Sequence, residues 1–291
     1  MQNIIEVTQL TKSFKGQTVL NDISFAVPKG SVVGLLGSNG AGKTTLLQSI
    51  IGLHLADQGK VSICGEYVPN LSAATKQKIG YVSQESELLT WMTVQQIIDY
   101  TRSFYTRWNA NLVNFLINDW ALNSSQKIHK LSTGQRQKLS IILAIAPEPD
   151  LLILDEPVAS LDPISRRKFI KTLLELNTND AQTVVFSTHI TSDLERIAAE
   201  VLLLKDGSIY FHGDIDELKE KVAKVHIVAN QKLPNQLNIP GVINLIKTEH
   251  QASVTVENIN DVNIDQLSEQ LDANIRIEPL SLDDIFVELH S

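Results

Sequence analysis

A single cysteine, Cys64, excludes an intrachain disulfide and any metal site built from paired thiolates, and leaves a bland buried thiol as the expected state of that residue. Long apolar runs are also missing. The longest, Ile141 to Ala146, stops at Pro147-Glu148-Pro149, well short of the ~20 residues that cross a bilayer, so any membrane role is expected to be peripheral. The opening residues, Met1-Gln2-Asn3-Ile4-Ile5-Glu6-Val7, lack the charged and apolar regions of a signal peptide, and a reducing cytoplasm is the expected location. Positive charge is scarce: 25 Lys and Arg stand against 33 Asp and Glu, with no basic cluster able to neutralise several phosphates, so no nucleic-acid partner is expected. His54, His129, His212, His226, His250 and His290 have no metal-like spacing and read as structural or surface residues.

What is present is enough for a large core, with 43% hydrophobic residues in 291 and no low-complexity tract. The acidity is concentrated at one end. From Lys224 onward ten Asp and Glu face four Lys and Arg, which accounts for −6 of the net −8 and marks a separate C-terminal unit.

Glycine is concentrated where it has a use. Gly37, Gly40 and Gly42 lie in Gly37-Ser38-Asn39-Gly40-Ala41-Gly42-Lys43-Thr44, between the apolar run Val32-Val33-Gly34-Leu35-Leu36 and a helix start at Thr45-Leu46-Leu47. A strand, a glycine loop and a helix N-terminus in that order form an anion nest, because the loop turns successive N–H groups inward and the helix adds its positive end. Lys43 supplies a point charge for the β- and γ-phosphates, and Thr44 a hydroxyl for Mg²⁺.

The stretch before the loop is β-rich, with Ile4 to Leu10, Val19-Leu20 and the alternation Ile23, Phe25, Val27, and with turns at Lys15-Gly16-Gln17 and Pro28-Lys29-Gly30. From Met92 to about Asn123 the pattern becomes helical. Ile97, Tyr100, Phe104, Tyr105 and Trp108 recur at three-to-four spacing, followed by Leu112, Phe115 and Leu116; the aromatic stripe is expected to form the core of a helical insert or, for some rings, to face a partner. Trp91-Met92-Thr93-Val94 has the same two readings. Leu151 to Leu154 and Thr183 to Phe186 are apolar on both faces, as parallel strands covered by helices require. Ligands of such sheets bind beyond the carboxyl ends of the strands, so Gly37, Asp155 and Ser187-Thr188-His189 are expected to converge on one phosphate group. Asp155 is then placed to hold Mg²⁺, and Glu156 to polarise a water attacking the γ-phosphate. Val201 to Phe211 reads as a closing hairpin, and the tail as a small α+β module with its last helix from Ser281.

At Leu131-Ser132-Thr133-Gly134-Gln135 the chain resembles the nucleotide-binding subunits of ATP-binding cassette (ABC) transporters over about residues 1–215, with Thr133 where that family most often has glycine. The resemblance implies an α/β fold: a phosphate-loop NTPase core with a parallel sheet, an N-terminal antiparallel β subdomain, a helical subdomain at about 85–145, and an accessory or regulatory module at 216–291. It implies ATP and Mg²⁺ as ligands, with Gly37, Ser38, Asn39, Gly40, Ala41, Gly42, Lys43, Thr44 and Thr45 around the phosphates. Thr44, Gln84 and Asp155 would be at the metal, and Glu156, His189 and Gln84 in catalysis. Phe14 occupies the position of a ring that stacks on adenine, with ordinary packing as the other reading. Ser132, Gly134, Gln135 and Asp162 would reach the ATP of a second subunit, identical or related, since each ATP is sandwiched between two such chains; separate multi-span permease subunits complete the assembly. The ending Pro279 to Leu289 resembles exporter-type subunits, so export is the expected direction, with import kept open. A soluble ABC ATPase acting on ribosomes or nucleic acid, and a nucleotide-switch interaction protein, are the competing readings.

Overall fold

Alternating and continuous apolar patterns separate into two kinds of sheet. The computed structural model describes residues 2–85, 87–176 and 182–290. The alternating pattern builds β1 (Asn3–Phe14) and β2 (Gln17–Pro28), which bury Ile5, Val7, Leu10, Ile23 and Val27 and join through Lys15-Gly16 in left-handed backbone. β3 (Val32–Leu36) runs through the glycine loop into α1 (Lys43–Ile50), after which β4 (Gln58–Ile63) and β5 (Glu66–Tyr67) complete an antiparallel sheet in the order β2-β1-β4-β5. Cys64 sits in the turn between those two strands with φ +52°; the turn leaves it half-buried, not enclosed in a core as its residue type suggests.

A short helix α2 (Ala73–Lys76) precedes β6 (Ile79–Val82). The helical segment follows as α3 (Val94–Arg102), α4 (Ala110–Asp119) and α5 (Thr133–Ile145), started by the side chains of Thr93, Asn109 and Ser132. Its core is aliphatic: Val94, Ile97, Ile98, Val113, Leu116 and Ile117 are buried with Trp120. The expectation of an aromatic core is corrected here. α3 ends at Arg102, and Tyr100, Phe104 and Phe115 are exposed, the first two stacked edge to face on each other at 5.0 Å. Trp91 is likewise exposed, whereas Val94 belongs to the core.

The continuous runs become β7 (Leu151–Leu154) and β8 (Thr183–Thr188), with α6 (Pro163–Leu176) between them, and α7 (Thr191–Ile197), β9 (Glu200–Lys205) and β10 (Ser208–Asp214) after them. The six-stranded sheet has the order β10-β9-β3-β8-β7-β6, and β3, β6, β7, β8 and β9 pair in parallel. All four residues of β7 are fully buried, each such aliphatic side chain contributing about 1.5–3 kcal/mol. The register Leu36↔Thr188 and Leu154↔Phe186 brings the carboxyl ends of β3, β8 and β7 level, and this edge carries the site.

The described chain divides into two units, between His212 and Gly213, just ahead of the 215/216 boundary read from the sequence. The second unit starts with α8 (Ile215–Lys221), capped by Asp214. It continues with β11 (Ala223–Ala229), β12 (Val242–Lys247), β13 (Gln251–Val256), α9 (Ile264–Leu271), β14 (Ala273–Pro279) and α10 (Leu282–His290), in an antiparallel sheet of order β12-β13-β11-β14. Val225, Ile227, Val254, Val256 and Leu267 form its core. Glu288 of α10 takes Lys224, Asn244 and Thr255; burial raises its carboxyl pKa, but these three partners together hold it below the ordinary value. Among the described residues no helix is long and apolar enough to cross a membrane.

Candidate nucleotide site

The loop from Gly37 to Gly42 closes over the end of β3 because two of its glycines have no room for a side chain. A Cβ at Gly37 would lie 2.7 Å from the Leu204 carbonyl oxygen, and one at Gly42, where φ is +104°, would lie 2.8 Å from the Leu20 side chain. Gly42 starts α1, and Ser38, Asn39, Gly40, Gly42, Lys43, Thr44 and Thr45 line a cavity of about 350 Å³ with Val19, Gln84 and Glu156. Ala41 is buried behind the loop and donates its N–H to the Ser38 carbonyl at 3.1 Å. The Lys43 ammonium, buried, donates to the Gly37 and Ser38 carbonyls at 2.7 and 3.2 Å. A buried ammonium and a helix N-terminus on one glycine-lined cavity are what a polyanion site requires.

The end of β7 meets it. The Glu156 N–H donates to Ser187 Oγ at 2.8 Å, Ser187 Oγ donates to Asp155 Oδ1 at 2.7 Å, and the Asp155 N–H donates to the Val82 carbonyl at 2.8 Å. Glu156 Oε1 lies 3.6 Å from Lys43 Nζ and its Oε2 2.9 Å from His189 Nδ1, so the carboxylate is gripped from both sides. Its φ of +47° is a left-handed conformation that costs a non-glycine residue about 1–3 kcal/mol. Asp155 is fully buried, and its Oδ2 has no hydrogen-bond partner among the described residues. A buried, unmatched carboxylate oxygen costs about 1–3 kcal/mol or more, and a cation removes that cost. Thr44 and Gln84 line the cavity, and a hydroxyl, an amide oxygen and a carboxylate are a hard donor set that suits Mg²⁺.

The remaining sequence candidates lie elsewhere. Ser132 and Gln135 bond to each other in a capping box at the start of α5, at 3.2 and 2.9 Å. Gly134 packs so closely on the loop before α6 that a Cβ would be 2.8 Å from the Ser160 carbonyl oxygen. Asp162 caps α6: its carboxylate accepts the Ser165 hydroxyl and the N–H groups of Ser165 and Ile164, and these bonds, the Ser165 hydroxyl first, lower its pKa to about 2. None of the four lines the phosphate cavity of its own chain. Phe14 does not line it either; its ring packs on His54 and is partly exposed. One contributor was expected at this edge without a role of its own, and one was not singled out for the site. Ser187, expected at the convergent strand ends, takes up the link between Asp155 and Glu156, whereas nothing local marks Val19 as part of the cavity.

Fold and site together are those of a phosphate-loop NTPase. Residues 20–159 match the family model described as ABC transporter. The chain is 32% identical over 224 residues to the ABC transporter ATP-binding protein YtrB of Bacillus subtilis, covering 77% of this chain and 76% of that protein. It is 32% identical to the methionine import ATP-binding protein MetN of Protochlamydia amoebophila (74% and 67% covered) and 34% identical to the Nod factor export ATP-binding protein I of Burkholderia lata (70% and 68%). A dimeric ATP-binding cassette in a post-hydrolysis state, bound to ADP and phosphate, shares the fold with a TM-score of 0.66 at 24% identity, covering 72% of this chain and 98% of that one. This chain belongs to the ATP-binding subunits of ABC transporters, and its core is an ABC ATPase domain.

Proposed function

We propose that two copies of this chain, or one copy and a related ATPase subunit, close over two ATP molecules and use binding and hydrolysis to drive transport through separate multi-span membrane subunits. The observation that carries this reading is the strand-end cluster, in which one carboxylate is gripped between Lys43 and His189 while its neighbour leaves a buried oxygen unmatched. In that cluster Glu156 accepts the proton of the attacking water, and Lys43 and His189 hold its carboxylate in place. Thr44, Gln84 and Asp155 hold Mg²⁺, which when bound neutralises charge on the phosphate oxygens. The amides of Gly40, Gly42, Lys43, Thr44 and Thr45 cradle the phosphates, and Phe14 stacks on the base. Ser132, Gly134, Gln135 and Asp162 serve the nucleotide of the other subunit; their distance from the cavity of their own chain favours the two-chain arrangement.

For the membrane partner, the supporting feature is a groove of about 540 Å³ lined by Gln48, Tyr81, Thr101, Tyr105, Ser140 and Leu143, with Leu53, Trp91, Tyr100 and Phe104 exposed in the same unit. Docking there places the protein peripherally on the cytoplasmic face of the membrane. Relatives carry both import and export names, and the exporter-like tail favours export. The test is a pull-down of tagged Glu156→Gln protein from detergent-solubilised membranes with ATP and Mg²⁺. Recovery of a multi-span membrane protein is expected; recovery of ribosomes or DNA-associated proteins in its place would overturn the reading.

A further inference from the structure

Phe14 stands outside the phosphate cavity, yet its ring is held on two sides. The His54 imidazole meets it edge to face, with ring centres 5.1 Å apart and planes at 74°, and the Lys12 ammonium lies over the ring, 5.3 Å from its centre. Lys12 is itself fixed. Its ammonium donates to Asp57 Oδ1 at 2.8 Å, while Asp57 Oδ2 accepts the Ser13 N–H at 2.6 Å and the Asp57 N–H donates to the Thr11 carbonyl at 2.9 Å. The segment from His54 to Asp57 is therefore stitched to the last residues of β1.

That segment is also the direct continuation of α1. The N–H groups of Leu53 and His54 both donate to the Gln48 carbonyl, at 2.9 and 3.2 Å, and α1 begins at Lys43 and Thr44. One short, hydrogen-bonded run of chain thus lines the phosphate cavity at its start and holds an aromatic ring at its end. A half-exposed phenylalanine at a hairpin end would otherwise turn freely and lose that freedom when a ligand stacked on it.

We propose that His54 and Lys12 are positioning residues for the nucleotide base: they set the plane of Phe14 relative to the phosphate loop, so that a purine whose phosphates occupy the loop meets a ring already oriented. The ammonium lies over the ring, and the base is assigned to the ring's exposed part. This rests on the stacking role proposed above for Phe14.

The test compares dissociation constants for ATP and for inorganic triphosphate by calorimetry, with all proteins carrying Glu156→Gln to stop turnover. His54→Ala should weaken ATP by about threefold to tenfold, the range of an aromatic pair, and leave triphosphate unchanged. His54→Phe should restore ATP binding because it keeps an aromatic ring against Phe14. In a Phe14→Ala background His54→Ala should add nothing, and Lys12→Met should act in the same sense more weakly. Equal losses for ATP and triphosphate, or full additivity with Phe14→Ala, would overturn the proposal. If Phe14→Ala itself leaves the ratio of the two constants unchanged, the stacking role fails and the proposal falls with it. If Phe14→Ala changes that ratio and His54→Ala does not, only the clamp is overturned.

Discussion

The strand-end cluster and the α5–α6 cluster are built in opposite ways. At the strand ends Lys43, Asp155 and Glu156 are buried, the Glu156 backbone is left-handed, and one Asp155 oxygen has no partner among the described residues. At the helix starts Ser132 and Asp162 are exposed, and their side-chain oxygens are already occupied by Gln135, Ile164 and Ser165. The first region keeps unspent polar capacity pointing inward. The second spends its side chains on fixing two helix starts at the surface. Changes in the first should therefore show in chemistry, and changes in the second in stability and assembly.

The sharpest break of this contrast is Glu156→Gln. It preserves shape and removes the base, so phosphate release at saturating ATP should fall by about 10²–10⁴-fold while nucleotide binding and the ATP-bound dimer persist. Turnover close to that of the parent would remove Glu156 from the role. In the second cluster, Ser132→Asp keeps a good helix cap but places an anion where a partner's phosphate is expected. Its melting temperature should stay near the parent's, and light scattering with ATP should show monomer in the Glu156→Gln background. Ser132→Ala should cost about 1 kcal/mol of stability instead. A Ser132→Asp protein that dimerises normally would show that this helix start meets no phosphate.

How far the sequence reveals these regions follows from range. The glycine spacing and the doubly apolar runs are local signals, and a parallel sheet converts them into convergence, so Gly37, Asp155 and His189 could be placed at one edge without coordinates. The clamp on Phe14 could not, because Lys12 and Asp57 meet across 45 positions of sequence. The aromatic stripe failed for a different reason. Periodicity identifies a face but not which face is inward, and on α3 the buried arc is Val94, Ile97 and Ile98, with Tyr100 turned outward and Phe104 past the helix end. The Ser132 to Gln135 spacing of a capping box is a local signal, but the abutment of Gly134 on the Ser160 carbonyl is not.

That abutment gives the next effect in size. In Gly134→Ala the new methyl meets a backbone oxygen, which cannot swing aside as a flexible side chain would. A loss of about 1–3 kcal/mol is expected in chemical denaturation, the range of forced overpacking. An unchanged midpoint would mean that the Ser160 loop yields freely and that the two helix starts are not rigidly coupled.

The smallest effect isolates charge. Asp162 has a pKa lowered from 3.8 to about 2 because the folded chain bonds its carboxylate, through the Ser165 hydroxyl above all, so the folded state favours the ionised form. A depressed acid pKa contributes stability that is fully present above 3.8 and is lost as pH falls through about 2. Asp162→Asn keeps a capping side chain and removes the charge. The parent should therefore be slightly the more stable of the two at pH 6, with the gap closing as the pH falls through that window, and full exposure of the group keeps the gap small. A gap that stays constant with pH would show that the cap at α6 works through hydrogen-bond geometry alone. Asp162 would then resemble the uncharged Ser132 more closely, and the contrast with the carboxylates at the strand ends would become sharper.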